Sequence, residues 1–341
     1  MVSKEAALHR SLSGADACDL SIIIPAHNAE KYMRQTLESV ANIIEECKST
    51  VVQVVVVING SKDATNVVVR EFAANWTGWM DVFEVEIGCV SRARNLALDN
   101  SIGRYIAFLD SDDIWLSEMK EVIPLVSLDS FDIIEFNAVR FVNEAEIPLL
   151  SGIFDGYLSG SCGPASLKES VFKFAKWFLW ARFFKASVLK GIRFCPARRY
   201  EDINFAAFAY LKARSVYSTS ARAIGYRVNP SSITSNAREK DVADLLFFLD
   251  EQKQWLALFT DPQEVRLIKI LRCNTWTAAH SLQHSVDAVS KETETHMSDV
   301  RRELLGDGIY RELGPAVQIH IKFSRLYGLY KAAKRCIKGL I

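Results

Sequence analysis

The chain has 341 residues, 49% of them hydrophobic and 24% charged, which is an ordinary globular balance with ample length for a buried core. Its 41 basic and 41 acidic residues cancel, so no global field recruits nucleic acid and any charged partner must be met by a local patch. Seven scattered cysteines without a C-x-x-C pair argue against a disulfide framework or zinc site and for a reducing compartment. With no apolar h-region at the start and no run of ~18 to 20 apolar residues, the expected location is the cytoplasm.

From residue 20 apolar strands alternate with amphipathic helices. LSIIIPA (20–26) is a β-branched run stopped by Pro25, and Asn28 stands where it can cap a helix whose Tyr32, Leu37, Val40 and Ile44 share a face. VVQVVVVI (51–58) is apolar nearly throughout, as in a parallel strand buried on both faces. NGSKDAT turns into a second helix. Then come a strand at MDVFEVEI, a helix at SRARNLALDNS, a turn at Gly103 and a strand at RYIAFLD.

This succession predicts an α/β fold with a doubly wound, mostly parallel sheet flanked by helices. Ligands of such sheets bind outside the carboxyl ends of the strands, where PAHN, INGSKD and LDSDD all fall. FDIIEFNAVRFV (131–142) reads as a further strand, GIFDGYLSGSCGPAS as a mobile loop and YEDINFAAFAYLKA as a helix. SVYSTS and AIGYRVN read as closing strands. From residue 236 the pattern is helical, giving three expected parts: an N-terminal extension 1–19, a catalytic-type domain 20–235 and a helical region 236–341.

FLDSDDIW (108–115) crowds Asp110, Asp112 and Asp113 into four positions, where mutual repulsion disfavours full ionisation. The crowding is either a solvated acidic turn, with Asp113 capping a helix that begins at Ile114, or a seat for a cation.

SIIIPAHNAEKYMRQTLESV, NGSKDAT, SRARNLAL, GRYIAFLDSDDIW and YEDINF occur in an order that resembles the family 2 glycosyltransferases, the inverting GT-A enzymes that move a sugar from a nucleoside diphosphate to an acceptor hydroxyl. YRVNPSSIT looks like the segment after the last strand in capsule and lipopolysaccharide members. The resemblance covers residues 20–235 and implies a GT-A domain with a helical C-terminal extension, acting in bacterial surface polysaccharide synthesis.

In that resemblance Asp112 is the direct ligand of Mn2+ or Mg2+, Asp110 faces ribose and metal, and Ser111 lies with the donor contacts. A hard divalent cation suits this place because one or two carboxylates suffice once substrate phosphates complete its shell, and it offsets charge on the leaving diphosphate. Asp202 matches the base that takes the acceptor proton, with Glu201 beside it to tune it or bind acceptor.

Pro25, His27, Asn59 and Arg92 line the expected nucleotide pocket. His27 stands where the family has an aromatic residue, either flanking the base or serving the loop. Asn59 stands where the family has the Asp that accepts a hydrogen bond from uracil; its amide oxygen can still accept, but it is neutral and also donates. A UDP-sugar is the first expectation for the donor. Arg94 reads as a surface charge, and Asn95 as a loop tie or a donor contact.

The acceptor expected is a saccharide or polyprenyl-linked saccharide, near Asp202 and the 152–165 loop. The basic amphipathic tail 319–341 either makes peripheral contact with a membrane or packs on the body of the protein. Two other functions compete: a nucleotide-sugar-binding pseudoenzyme or scaffold, and a sugar nucleotidylyltransferase, which would want a glycine-rich loop where PAHNAEKY stands.

Overall fold

Runs of Val and Ile in LSIIIPA and VQVVVVIN bury every position, so these segments belong inside a sheet covered on both faces. The computed structural model, which describes residues 18–155, 164–229, 237–286 and 288–324, places them at its centre. In chain order its sheet and helices begin β1 (Leu20–Ala26), α1 (Met33–Glu46), β2 (Val52–Asn59), α2 (Thr65–Asn75), β3 (Trp79–Val85), α3 (Val90–Asp99) and β4 (Tyr105–Phe108). There follow β5 (Ile114–Trp115), α4 (Met119–Val122), β6 (Ile133–Phe141), α5 (Pro164–Phe174), β7 (Arg182–Lys185), α6 (Ala186–Leu189), α7 (Glu201–Lys212) and β8 (Val216–Arg227).

The strand order is β3-β2-β1-β4-β7-β6-β8-β5. β1 through β4 are mutually parallel, β7 runs antiparallel to both β4 and β6, β6 and β8 are parallel, and β5 is antiparallel to β8. The expected mostly parallel sheet is therefore present, with an antiparallel insert the periodicity did not disclose. After β1 the chain winds to β2 and β3 on one side and returns to β4 on the other, so the switch point lies between β1 and β4.

Four local readings are corrected. Pro25 does not stop β1; it pairs opposite Val57 at a level beyond β4, whose last partner is the Ile23–Phe108 pair, so its missing N–H is not needed there. Asn28 caps no helix: its φ is +48° and its side-chain oxygen accepts the Lys62 amide at 2.8 Å, while α1 starts only at Met33. Asp113 precedes a strand, not a helix, because Ile114 and Trp115 pair with Gly225 and Ile224. SVYSTS and AIGYRVN are one strand, β8, whose register against β6 shifts around Asn137, opposite the break seen in the sequence.

Contacts divide the chain into two units. The first, Met1–Leu167 with Trp177–Ala197 and Glu201–Pro230, contains the sheet, and its core runs from Ile22, Ile24, Val54 and Val56 to Met33, Leu37 and Val40 of α1. The second comprises Lys168–Lys176, Arg198–Tyr200 and Ser231–Ile341. It contains α8 (Glu239–Leu258), α9 (Pro262–Gln283), α10 (Lys291–Asp307) and α11 (Pro315–Lys322), with Leu245, Phe248, Leu271, Trp276 and Leu304 buried. Most of the expected loop at 152–165 and of the basic tail 319–341 lies outside the described residues.

Candidate active site

The C-terminal end of β4 turns at Asp110–Asp113, closed by the Asp113 amide donating to the Asp110 carbonyl at 3.1 Å. The Thr36 hydroxyl of α1 supports this turn, 3.0 Å from the Ser111 carbonyl and 2.8 Å from that of Asp113. From β8, Arg227 donates its Nε to the Asp112 carbonyl and its amide to Asp113 Oδ1, each at 2.8 Å, with its guanidinium between the rings of Tyr32 and Phe141 at 4.7 and 4.6 Å. Asn229 donates to Asp112 Oδ2 at 2.9 Å.

The three acids thus separate. Asp110, Ser111 and Asp112 are half-buried and Asp113 is wholly buried. Burial raises the Asp112 carboxyl above its usual range; the Asn229 bond opposes the rise and the charge of Asp110 adds to it. Asp113 is pushed up well beyond that, by burial first and then by Asp110 and Asp112. Its Oδ2 is buried without a hydrogen-bond partner.

Across from this turn stands the first turn of α7, with Glu201 and Asp202. What joins them is Arg94, which sequence reading left as a surface charge. It is 8% exposed, and it donates to Glu201 Oε1 at 2.5 Å and to Asp110 Oδ1 at 3.1 Å. Burial alone would lower its pKa, but the charges of Glu201, Asp110 and Asp202 raise it. Asp202 is pushed up to about 7 by burial and the charge of Glu201, against the pull of Arg94.

The carboxyls of Asp110, Asp112, Asp113, Glu201 and Asp202 outnumber the guanidinium groups of Arg94 and Arg227 that reach them. Among the described residues no three His, Cys, Asp or Glu side chains form a closed metal cage. The chemistry of the donor set and the orphaned Asp113 oxygen nonetheless fit a hard divalent cation, whose shell is completed by substrate oxygens and waters.

The other wall is built by His27 and Asn59. Because the Asn59 carbonyl only accepts, His27 carries its proton on Nδ1, donating at 2.6 Å, and Nε2 faces the Asn28 amide at 3.3 Å. Gly60, with φ +62°, makes this wall possible: a Cβ there would lie 2.4 Å from the Gly88 nitrogen.

Asn59 Oδ1 accepts the Cys89 amide at 2.7 Å and so anchors the loop entering α3. Pro25 is buried within β1. Arg92 is exposed and makes no ion pair among the described residues, and Asn95 is a loop tie, exchanging two hydrogen bonds with the Phe194 backbone at 2.9 and 3.0 Å.

Sequence reading missed Thr36, Arg94, Arg227 and Asn229. For Arg94 a signal existed: Ser91, Arg94 and Ala97 recur at helical spacing on the small-residue face of α3, and that face is the buried one.

A curled, mostly parallel sheet with an acidic turn at the end of β4, faced by a helix bearing two more acids, is the architecture of a GT-A glycosyltransferase domain. A fragment of Staphylococcus aureus TarS in complex with UDP-GlcNAc superposes with a TM-score of 0.70 at 18% identity, over 92% of this chain and 89% of the other.

Residues 21–134 match the model of Glycosyl transferase family 2. The glycosyltransferase GlyA of Streptococcus pneumoniae is 28% identical over 261 residues, 73% of this chain and 36% of GlyA. The putative glycosyltransferase EpsH of Bacillus subtilis is 25% identical over 65% of this chain and 64% of its own length. The chain therefore spans less than two thirds of each of these relatives.

Proposed function

We propose that the protein is a metal-dependent inverting glycosyltransferase that moves a sugar from a nucleoside diphosphate to a hydroxyl of a saccharide or lipid-linked saccharide in bacterial surface polysaccharide synthesis. The observation that carries this reading is the Arg94 bridge, which brings Asp110 of the acidic turn and Glu201, next to Asp202, onto one guanidinium. Residues distant in sequence are thereby held as one constellation at the switch point of the sheet.

Asp112 and Asp110 would hold Mn2+ or Mg2+, which when bound supplies positive charge to the departing diphosphate. A mannosyltransferase of like fold from Pyrobaculum calidifontis, TM-score 0.50 and 14% identity, is described with GDP-Man and Mn2+, which supports a cation here. Asp202 takes the proton of the attacking hydroxyl. Its raised pKa makes it a stronger base than an ordinary aspartate while still ionised in part near neutral pH.

The UDP-GlcNAc complex of TarS supports a UDP-sugar donor. His27 and Asn59 form the base wall; Oδ1 of Asn59 accepts the Cys89 amide, and its NH2 is a donor suited to a base carbonyl. Arg92, exposed at the start of α3, meets the phosphates. Ile319 of α11 and Phe323 just after its end are 48% and 45% exposed beside Lys322, which favours peripheral contact with an anionic membrane bearing the acceptor. Among the described residues no helix is long and apolar enough to cross one.

The test is turnover of UDP-, GDP-, TDP- and CMP-sugars, read as nucleotide release, with and without Mn2+. Metal-stimulated release from one donor class supports the reading, and absence of release and of thermal stabilisation with every donor would defeat it.

A further inference from the structure

Tyr32, Gln35, Thr36 and Ser39 stand at helical spacing along the start of α1, and each meets the acidic turn or a strand beside it. The Arg227 guanidinium lies over the Tyr32 ring at 4.7 Å and donates through Nη2 to Gln35 Oε1 at 2.6 Å. The Thr36 hydroxyl is 3.0 Å from the Ser111 carbonyl and 2.8 Å from that of Asp113. Ser39 Oγ accepts the Trp115 amide at 3.0 Å and donates to the Thr36 carbonyl at 2.7 Å. All of these groups lie within the sheet-bearing unit.

A serine or threonine inside a helix commonly returns its hydroxyl to a carbonyl three or four positions back. Ser39 does so, but Thr36, at 0% exposure, turns its hydroxyl to two carbonyls of another segment. One proton serves both, so the hydroxyl ties Ser111 and Asp113 to each other as well as to α1. Those two residues flank Asp112. The other carbonyls of the turn are bonded too, that of Asp110 by the Asp113 amide at 3.1 Å and that of Asp112 by Arg227 Nε at 2.8 Å. The backbone is therefore held on both sides of Asp112.

We infer that Thr36, seconded by Ser39, is a positioning residue for the cation: by pinning the peptide groups on either side of Asp112 it sets where that carboxylate points before a cation arrives. The inference rests on the reading of Asp112 as a metal ligand. Asn229 bonds one oxygen of this carboxylate at 2.9 Å, and Thr36 acts on the backbone that carries it. Mg2+ in particular demands near-ideal octahedral geometry. Groups that orient a ligand without touching the metal typically account for about 10–100-fold in metal affinity.

The test uses the full chain carrying Thr36→Val, which keeps the branched side chain and removes the hydroxyl, or Thr36→Ser, which restores it. Mn2+ binding in the presence of UDP is followed by calorimetry, and amide hydrogen exchange is followed over residues 109–115. For Thr36→Val the expected result is an Mn2+ affinity lowered by about 10–100-fold, with faster exchange at the Asp113 and Trp115 amides. Turnover of whichever nucleotide sugar shows release should fall at low Mn2+ and recover as Mn2+ is raised. Thr36→Ser should restore most of the affinity, and Ser39→Ala, which leaves Thr36 in place, should weaken Mn2+ binding less than Thr36→Val.

A hydroxyl that only packs the helix would lower the thermal midpoint and leave Mn2+ affinity alone. A folded Thr36→Val with wild-type Mn2+ affinity therefore overturns the inference, as does a loss that Thr36→Ser fails to repair. If Thr36→Val does not fold, Ser39→Ala with wild-type Mn2+ affinity and wild-type exchange at Trp115 overturns it instead. Asp112→Asn, run alongside, keeps the two ideas apart: unchanged Mn2+ binding there removes the metal reading, while exchange at Asp113 and Trp115 in Thr36→Val still judges the brace.

Discussion

The two halves of the sheet place their side chains by different physics. In β1 to β4 the site is built from strand ends: apolar runs bury the strands, the parallel winding brings their carboxyl ends together, and the Asp110–Asp113 turn stands at the end of β4, braced by Thr36 and Arg227. In β6 to β8 and α7, polar groups buried in the interior do the placing. Arg182 of β7 meets Glu135 of β6 at 2.6 Å and the Tyr210 hydroxyl of α7 at 2.7 Å, with neither ion-pair side chain exposed. The first half should therefore tolerate apolar exchange at conserved volume, and the second should be sensitive to loss of a single charge.

The sharpest way to break this comparison is at the reacting groups. Asp202→Asn is expected to lower turnover by on the order of 10²–10⁴-fold while donor binding, followed by calorimetry, persists. Asp112→Asn is expected to lose both turnover and the metal dependence of donor binding, with the thermal midpoint close to wild type. A variant at either position with wild-type turnover would withdraw that residue's role.

Next in size is stability in the second half. Arg182→Met leaves the Glu135 carboxylate buried without its guanidinium and should cost about 3–5 kcal/mol, measured by denaturant unfolding. A volume-conserving Ile24→Leu exchange in the first half should cost less than about 1.5 kcal/mol. Equal losses in the two halves would show that the contrast between them is not energetic.

The Arg94 bridge can be read by pH. Glu201 raises the Asp202 pKa and Arg94 lowers it, so Glu201→Gln should move the acid limb of kcat/KM down from about 7, and Arg94→Gln should move it up. The same shift appears in stability. Because the folded carboxyl holds its proton more tightly than the unfolded one, the Asp202 contribution falls as pH rises from the ordinary aspartate value to about 7 and is constant above that. Asp202→Asn should flatten that slope in a series of unfolding curves, and an unchanged slope would contradict the shift.

These contrasts also explain what could be read from the sequence. Parallel strands carry their burial in every residue, so β1, β2 and the acidic turn were readable, as were the α7 acids through their motif. Asp113 was misjudged because Asp before an apolar pair suits a helix cap as well as a strand entry, and only pairing of Ile114 with Gly225 decides. Arg94 was misjudged because an arginine between small residues shows its charge but not its partners, which lie 16 and 107 positions away. Distant ion pairs leave no periodic trace.

Asn59 offers the smallest and most selective probe. Its oxygen is fixed by the Cys89 amide, so Asn59→Asp keeps that bond and exchanges the NH2 donor for a second acceptor. The loop should stay in place, and recognition of the base should change from meeting a carbonyl to meeting an N–H. Gain or loss of one such neutral bond amounts to about 0.5–1.5 kcal/mol, so the ratio of UDP to TDP or GDP affinity should change by no more than about tenfold, with kcat unaffected. If kcat falls while the ratio stays fixed, Asn59 acts through the entry to α3, and the base wall must be sought beside His27 instead.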